Sequence, residues 1–153
     1  MWLGRVLRAQ MGRLGEAVDY LRQGVSLEPE DASAHCFLAD GLLLKGSWDD
    51  GWREYEWRKK RPDAESLFAK FKGRPEWDGR YFSKQHVLVY WEQGLGDTLQ
   101  FCRYIQQVKA RGGLVTFLVQ PALKSLMESS VNADWVVGSV EDANAYDYVI
   151  PLL

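Results

Sequence analysis

His86-Val-Leu-Val-Tyr-Trp-Glu-Gln-Gly-Leu-Gly-Asp-Thr-Leu-Gln-Phe-Cys-Arg-Tyr104 is the stretch whose reading decides the fold. Its first six residues form a short apolar run rich in β-branched and aromatic side chains, the pattern of a buried parallel strand. Glu92–Asp97 reads as a loop. Thr98 to about Arg111 reads as a helix that buries Leu99, Cys102, Ile105 and Val108, and Gly112-Gly113 stops it. Leu114–Val119 reads as the next strand and Pro121–Ser129 as a short helix with proline in its first turn. Trp135–Val137 and Tyr148–Ile150 read as two more strands. Alternating strands and helices predict a parallel sheet covered by helices.

Ligands of such sheets bind beyond the carboxyl ends of the strands, where the Gly94–Asp97 loop falls. Glycines there let a ligand approach the backbone, and the following helix start offers free N–H groups. The loop lacks the third glycine of the dinucleotide fingerprint, because Leu99 stands in its place. No Gly-Lys-Ser/Thr follows, and an acidic residue repels phosphate, so neither a nicotinamide nor an ATP cofactor is expected. Two roles are open to Asp97. Asp97-x-x-Gln100 fits a capping box, and a carboxylate at a strand end suits a base taking a proton from an attacking hydroxyl.

The first third of the chain repeats itself. Gly12 and Gly46, Glu16 and Asp50, Ala17 and Gly51, and Leu21 and Tyr55 are each 34 residues apart, and Pro29 and Pro62 are 33 apart. This predicts helix pairs that turn near Gly12 and Gly46, touch at the small residues Ala17 and Gly51, and end before the prolines. With His35, Leu38, Ala39 and Leu42 on the second unit's first helix, the pattern over residues 1–62 resembles the tetratricopeptide repeat. The resemblance implies a protein or peptide partner. Leu3-Gly4-x-x-Leu7 looks like the start of a first unit but lies one residue too far from Gly12, so that the first helix is either shifted or a damaged terminal repeat.

Trp48, Trp52 and Tyr55 share one helix face. The stripe reads as packing against a neighbouring helix, with a ligand platform as the alternative. Arg58-Lys59-Lys60-Arg61 reads as a solvated helix end. Residues 63–85 read as a linker in which Pro75-Glu-Trp-Asp-Gly79 makes a turn and Trp77 plugs a seam between the halves.

A chain of 153 residues with 46% hydrophobic and 26% charged residues suits a globular protein. Its net charge of −2 argues against a nucleic-acid partner. No apolar run approaches the ~20 residues of a membrane span. Met-Trp-Leu-Gly-Arg lacks a signal core, and Cys36 and Cys102 read as reduced thiols, so a cytoplasmic location is expected. Neither the cysteines nor His35 and His86 have metal-ligand spacing, so no metal is expected.

Residues 91–104, preceded by Pro75–Gly79 and followed by Tyr146-Asp-Tyr-Val-Ile-Pro-Leu-Leu153, resemble a family of bacterial tetratricopeptide proteins with a glycosyltransferase-like domain. Its fold is similar to that of heptosyltransferases and, more distantly, to O-linked N-acetylglucosaminyltransferases. The resemblance covers about residues 46–153. It implies Asp97 as the general base of an inverting sugar transfer to a protein or glycan acceptor. It also implies that Gly94 and Gly96 line the loop beside the acceptor, and Gln93 and Thr98 complete the expected acceptor loop. Such enzymes pair two Rossmann-like halves in the GT-B architecture, and the sugar donor binds mainly to the second. The expected fold is therefore tetratricopeptide helices over 1–62, the 63–85 linker, and a partial Rossmann-like sheet over 86–153. On this reading the chain is a fragment that is inactive alone. A non-enzymatic interaction module is the alternative.

Overall fold

The computed structural model describes residues 11–153, which divide into two compact units, the first ending at Phe68 and the second starting at Ala69. The division falls within the 63–85 stretch. The Leu3–Leu7 segment lies outside the described residues.

In the first unit a short 3-10 turn, Met11–Arg13, leads into α1 (Leu14–Leu27). α2 (Ala32–Lys45) follows after a turn at Pro29, and α3 (Trp48–Tyr55) after Gly46. Asp31 starts α2 by accepting the backbone N–H groups of Ser33 at 2.8 Å and Ala34 at 3.3 Å. Gly46 ends it in the left-handed region, φ 84°. Its N–H and that of Ser47 donate back to the carbonyls of Leu43 and Leu42. Val18 and Leu21 of α1 close on Leu38 and Leu42 of α2. The small residues sit where helices meet. A Cβ on Gly41 would lie 3.2 Å from Val18, and one on Gly51 would lie 2.7 Å from Leu43. No strand occurs before residue 58 among the described residues.

Two expectations about this unit fail. Trp48 and Trp52 are 60% and 50% exposed, so their stripe is not buried against a neighbouring helix of the unit. Arg58 is buried rather than solvated. Its guanidinium lies 4.6 Å from the Tyr55 ring centre and donates to the Tyr55 carbonyl and to Glu56. The basic run falls in a 3-10 turn, Glu56–Lys60, which precedes a short helix, α4 (Glu65–Ala69), and folds back on α2. There Trp57 stacks on His35 at 3.8 Å, and Lys60 covers Trp57 at 3.6 Å. The His35 ring meets Glu54 on one nitrogen and the Pro29 carbonyl on the other.

The second unit is a parallel sheet of β1 (His86–Tyr90), β2 (Leu114–Leu118), β3 (Trp135–Val137) and β4 (Tyr148–Pro151), in the order β3-β2-β1-β4. Val87 pairs with Val115 on one side and Tyr148 on the other. α5 (Leu95–Phe101), a 3-10 turn at Cys102–Tyr104 and α6 (Ile105–Lys109) connect β1 to β2. α7 (Lys124–Ser130) connects β2 to β3. Ile105, Leu123 and Met127 pack on Val87, Val89, Val115, Phe117 and Val119 to form the core. Each such burial contributes about 1.5–3 kcal/mol before the entropy of ordering is counted.

Parts of the expected linker supply this core. Phe82 is fully buried, Phe71 stacks on Tyr90 at 4.2 Å, and Trp77 meets Phe82 edge-on at 5.2 Å. Trp77, placed by the sequence in a seam, thus belongs to the second unit's own core. Its N–H donates to the Val149 carbonyl, extending the sheet by one bridge beyond β4. Gly113 has φ 68° and admits no side chain, because a Cβ would lie 2.5 Å from the Gln85 carbonyl.

Candidate functional site

The chain leaves β1 at Tyr90 and first builds outward on one side, through β2 to β3. It then returns to the other side of β1 as β4. The order reverses at β1, and in open α/β sheets ligands bind outside the carboxyl ends of the strands at such a reversal. The Trp91–Asp97 segment lies at that end.

The helix begins earlier than its sequence pattern suggests. Gly94 is the N-cap and Leu95 the first helical residue, so Gly96 and Asp97 lie within the first turn. Asp97 is therefore the third helical residue rather than the cap. Its Oδ2 accepts the Gly94 N–H at 3.0 Å, and glycine cannot return the bond from a side chain. This is one half of a capping box, in the reverse direction from that expected for Asp97-x-x-Gln100. Asp97 is half-buried, and among the described residues its second carboxylate oxygen accepts no hydrogen bond.

Neither loop glycine is demanded by the fold. Gly94 has φ −68° and ψ 170°, which any residue adopts. A Cβ there would meet only Asp97 Oδ2, at 3.3 Å. Gly96 is helical, and a Cβ there would meet nothing within 4 Å. Gln93, Gly94 and Gly96 are exposed.

Thr98 is not a ligand-facing residue. It is 1% exposed, and its hydroxyl donates to Gln120 Oε1 at 2.9 Å. Gln120 Nε2 in turn donates to the Gln93 carbonyl at 2.9 Å. Gln120, just past the end of β2, therefore latches the start of the loop and the first turn of α5 to the neighbouring strand. Sequence reading missed it, since a lone glutamine after a strand carries no motif. Leu99, expected inside, is 46% exposed, because Thr98 and Ile105 set the inward face. Glu92 accepts the backbone N–H of Leu153. The sequence-derived set Gln93, Gly94, Gly96 and Asp97 thus gathers at one strand end, with Thr98 beneath as a positioning residue.

Arg103 is exposed, 5.0 Å from the ring centre of its neighbour Tyr104. Among the described residues no group of three or more His, Cys, Asp or Glu is placed to hold a metal, and no helix is long and apolar enough to cross a membrane. Comparisons with protein-family models, with curated proteins and with solved structures return no match to this chain.

Proposed function

We propose that the second unit is the acceptor side of a sugar-transfer domain and that the first is a tetratricopeptide-type helical unit that binds a protein or peptide. The observation that carries the reading is the Gly94–Asp97 turn at the carboxyl end of the strand where sheet order reverses. It offers bare backbone and a carboxylate with one oxygen uncommitted within the unit. In the proposed step an acceptor hydroxyl attacks the anomeric carbon of a nucleotide-activated sugar. The bond to the leaving phosphate breaks with inversion, and Asp97 takes the hydroxyl proton. Gln93 and the exposed backbone around Gly94 and Gly96 orient the acceptor. The resemblance to GT-B enzymes assigns the donor to a second half of the fold. Cys36 and Cys102 are free thiols, which suits a cytoplasmic setting.

The test is turnover and melting temperature for Asp97→Asn and Asp97→Ala, made in the longest protein the gene encodes. An amide keeps an oxygen for the Gly94 N–H but takes no proton. Asp97→Asn should therefore lower turnover roughly 100-fold or more with little change in melting temperature. Asp97→Ala also loses the bond from the Gly94 N–H and should in addition cost about 1 kcal/mol of stability. Full activity of the Asn form would remove Asp97 from the chemistry.

A second reading, a non-enzymatic interaction module, is favoured by the exposed Trp48 and Trp52. Tryptophan is enriched at binding hot spots. On that reading a Trp48→Ala/Trp52→Ala variant loses peptide binding and Asp97→Asn has no functional effect.

A further inference from the structure

In the first unit, His35 of α2 is a buried histidine with an acceptor on each ring nitrogen; its side chain is 8% exposed. Nε2 lies 2.9 Å from the Pro29 carbonyl, which has no proton to give, so Nε2 carries one. Nδ1 meets the Glu54 carboxyl group of α3, on a side chain 25% exposed. An imidazole protonated only on Nε2 has a bare lone pair at Nδ1, and an ionised Glu54 offers only lone pairs in return. The contact therefore holds one further proton, whether on the imidazole or on the carboxyl.

The same ring holds the turn that follows α3. Trp57 stacks on His35 with centres 3.8 Å apart and planes 4° from parallel. The Lys60 ammonium lies 3.6 Å from the Trp57 centre, and two groups so close to one ring centre occupy opposite faces. His35 thus joins Pro29, Glu54 and the Glu56–Lys60 turn to α2. The other charges around it are engaged elsewhere. Lys60 stands beyond the indole and reaches the exposed Glu30 at 4.0 Å. Asp31 accepts the N–H groups of Ser33 and Ala34 at the start of α2. Burial pushes the Glu56 carboxyl up, but bonds from Lys59 and Arg58 outweigh it and keep it below its ordinary range. Burial also raises the thiol of Cys36, the next residue along α2, which stays neutral.

We propose that the proton between His35 and Glu54 is a pH-sensitive clamp: while it is present the Glu56–Lys60 turn is held on α2, and its loss as pH rises releases the turn. Without the proton, Nδ1 and the carboxylate present lone pairs to each other. Glu54, partly exposed already, regains water by swinging out, and the end of α3 and the Trp57 stack loosen with it. A protonated ring also attracts the indole face more strongly than a neutral one does. Arg58, Lys59 and Lys60 ride on the turn, so its release rearranges the basic surface of the first unit.

The experiment is an NMR titration of the full chain from about pH 5 to 9, the range around histidine's own charge change. The His35 ring nitrogens are followed by long-range 1H–15N correlation, and amide exchange is followed over residues 56–60. His86, the other histidine, belongs to the second unit and is read separately in the same spectra. With rising pH, His35 Nδ1 is expected to move to the shift of a bare lone pair while Nε2, held by Pro29, keeps its proton. At the same midpoint, exchange at Trp57 and Arg58, corrected for its intrinsic pH dependence, should quicken roughly tenfold, the factor one charge-assisted hydrogen bond contributes to a local opening. Glu54→Gln is the closed control. Its amide donates to Nδ1 of the neutral ring, so no extra proton is needed and exchange should stay slow throughout, with ellipticity at 222 nm unchanged. An Nδ1 that does not titrate over this range overturns the proposal, and so does one that titrates while residues 56–60 exchange as before. A Glu54→Gln protein with the wild-type pH response overturns it as well.

Discussion

The Thr98–Gln120–Gln93 latch is the feature that couples the fold to the candidate site, and a double-mutant cycle measures it. Thr98→Val is nearly isosteric and removes only the hydroxyl. Thr98 is 1% exposed and Gln120 9%, so the change strands Gln120 Oε1 away from water. An unsatisfied buried acceptor costs about 1–3 kcal/mol. Gln120→Met keeps the length of the side chain and removes both of its bonds. The Thr98 hydroxyl then has the Gly94 carbonyl, one helical turn back, as a substitute. The Gln93 carbonyl is on an exposed residue and can reach water, so this variant should cost about 1–2 kcal/mol. In the double variant nothing buried is left unpaired between the two positions. Its cost should fall about 1–2 kcal/mol short of the sum of the singles. Urea melts of the four proteins, followed at 222 nm, give the numbers. Hydrogen exchange at Gly94 and Leu95 should quicken in Gln120→Met and hardly change in Thr98→Val, because only the first frees the Gln93 carbonyl. Strict additivity, within about 0.3–0.5 kcal/mol, would refute the latch.

Gly15 of α1 faces open space, so Gly15→Ala should raise stability by about 0.5–1 kcal/mol. Gly51→Ala places a Cβ 2.7 Å from Leu43 Cδ2 and 3.1 Å from its backbone nitrogen. Overpacking should outweigh the helix-propensity gain there, for a net loss of about 1 kcal/mol by thermal melting. Asp134 accepts from Lys109 at 2.7 Å and from the Val115 N–H at 2.7 Å, tying the starts of β2 and β3 to the end of α6. Burial alone pushes its carboxyl up, but the Lys109 and Val115 bonds outweigh it, and the group sits below its ordinary value of 3.8. Its contribution, about 1–2 kcal/mol, is complete above that value and lost as pH falls through the lower folded one. Wild type and Asp134→Asn should therefore differ at pH 7 and converge in strong acid, as followed by urea melts across pH.

What the sequence made legible follows periodicity and breakers. The runs at 86, 114, 135 and 148 are the four strands, because short β-branched and aromatic segments bounded by Gly, Pro and Asp have few other ways to be buried. The start of α5 was misplaced because Asp97 accepts a backbone N–H whether it stands at the cap or at the third position, and a glycine cap leaves no side-chain signature. Leu99 and Thr98 exchanged places for the same reason, since a shift in helix start rotates the inward face. The burial of Arg58 and the exposure of Trp48 and Trp52 were out of reach in another sense. Spacing tells which residues share a face, not which face a neighbour covers. Gln120 has no local pattern at all, because its role exists only once β2 lies beside β1.

The two loop glycines decide between a structural and a functional account of the turn. Glycine in a helix's first turn costs up to about 1 kcal/mol relative to alanine. Such a cost is offset when glycine takes positive φ or relieves a clash, as Gly46 and Gly113 do. At Gly96 neither holds, and at Gly94 a serine could cap the helix better than glycine does. Within the described residues, then, the turn carries a stability deficit that nothing in the fold explains. The acceptor site proposed at the sheet's reversal point would account for it. Gly96→Ala should accordingly raise the melting temperature by a few degrees, since about 1 kcal/mol is worth roughly 4–8 °C in a domain of 60–100 residues. The same methyl group should reduce acceptor binding or turnover, because it stands where the backbone is offered. Calorimetry and an activity assay on one variant read the two effects separately. A Gly96→Ala protein that is more stable and fully active would leave the glycines without a functional reason and remove the main support for a site at this turn.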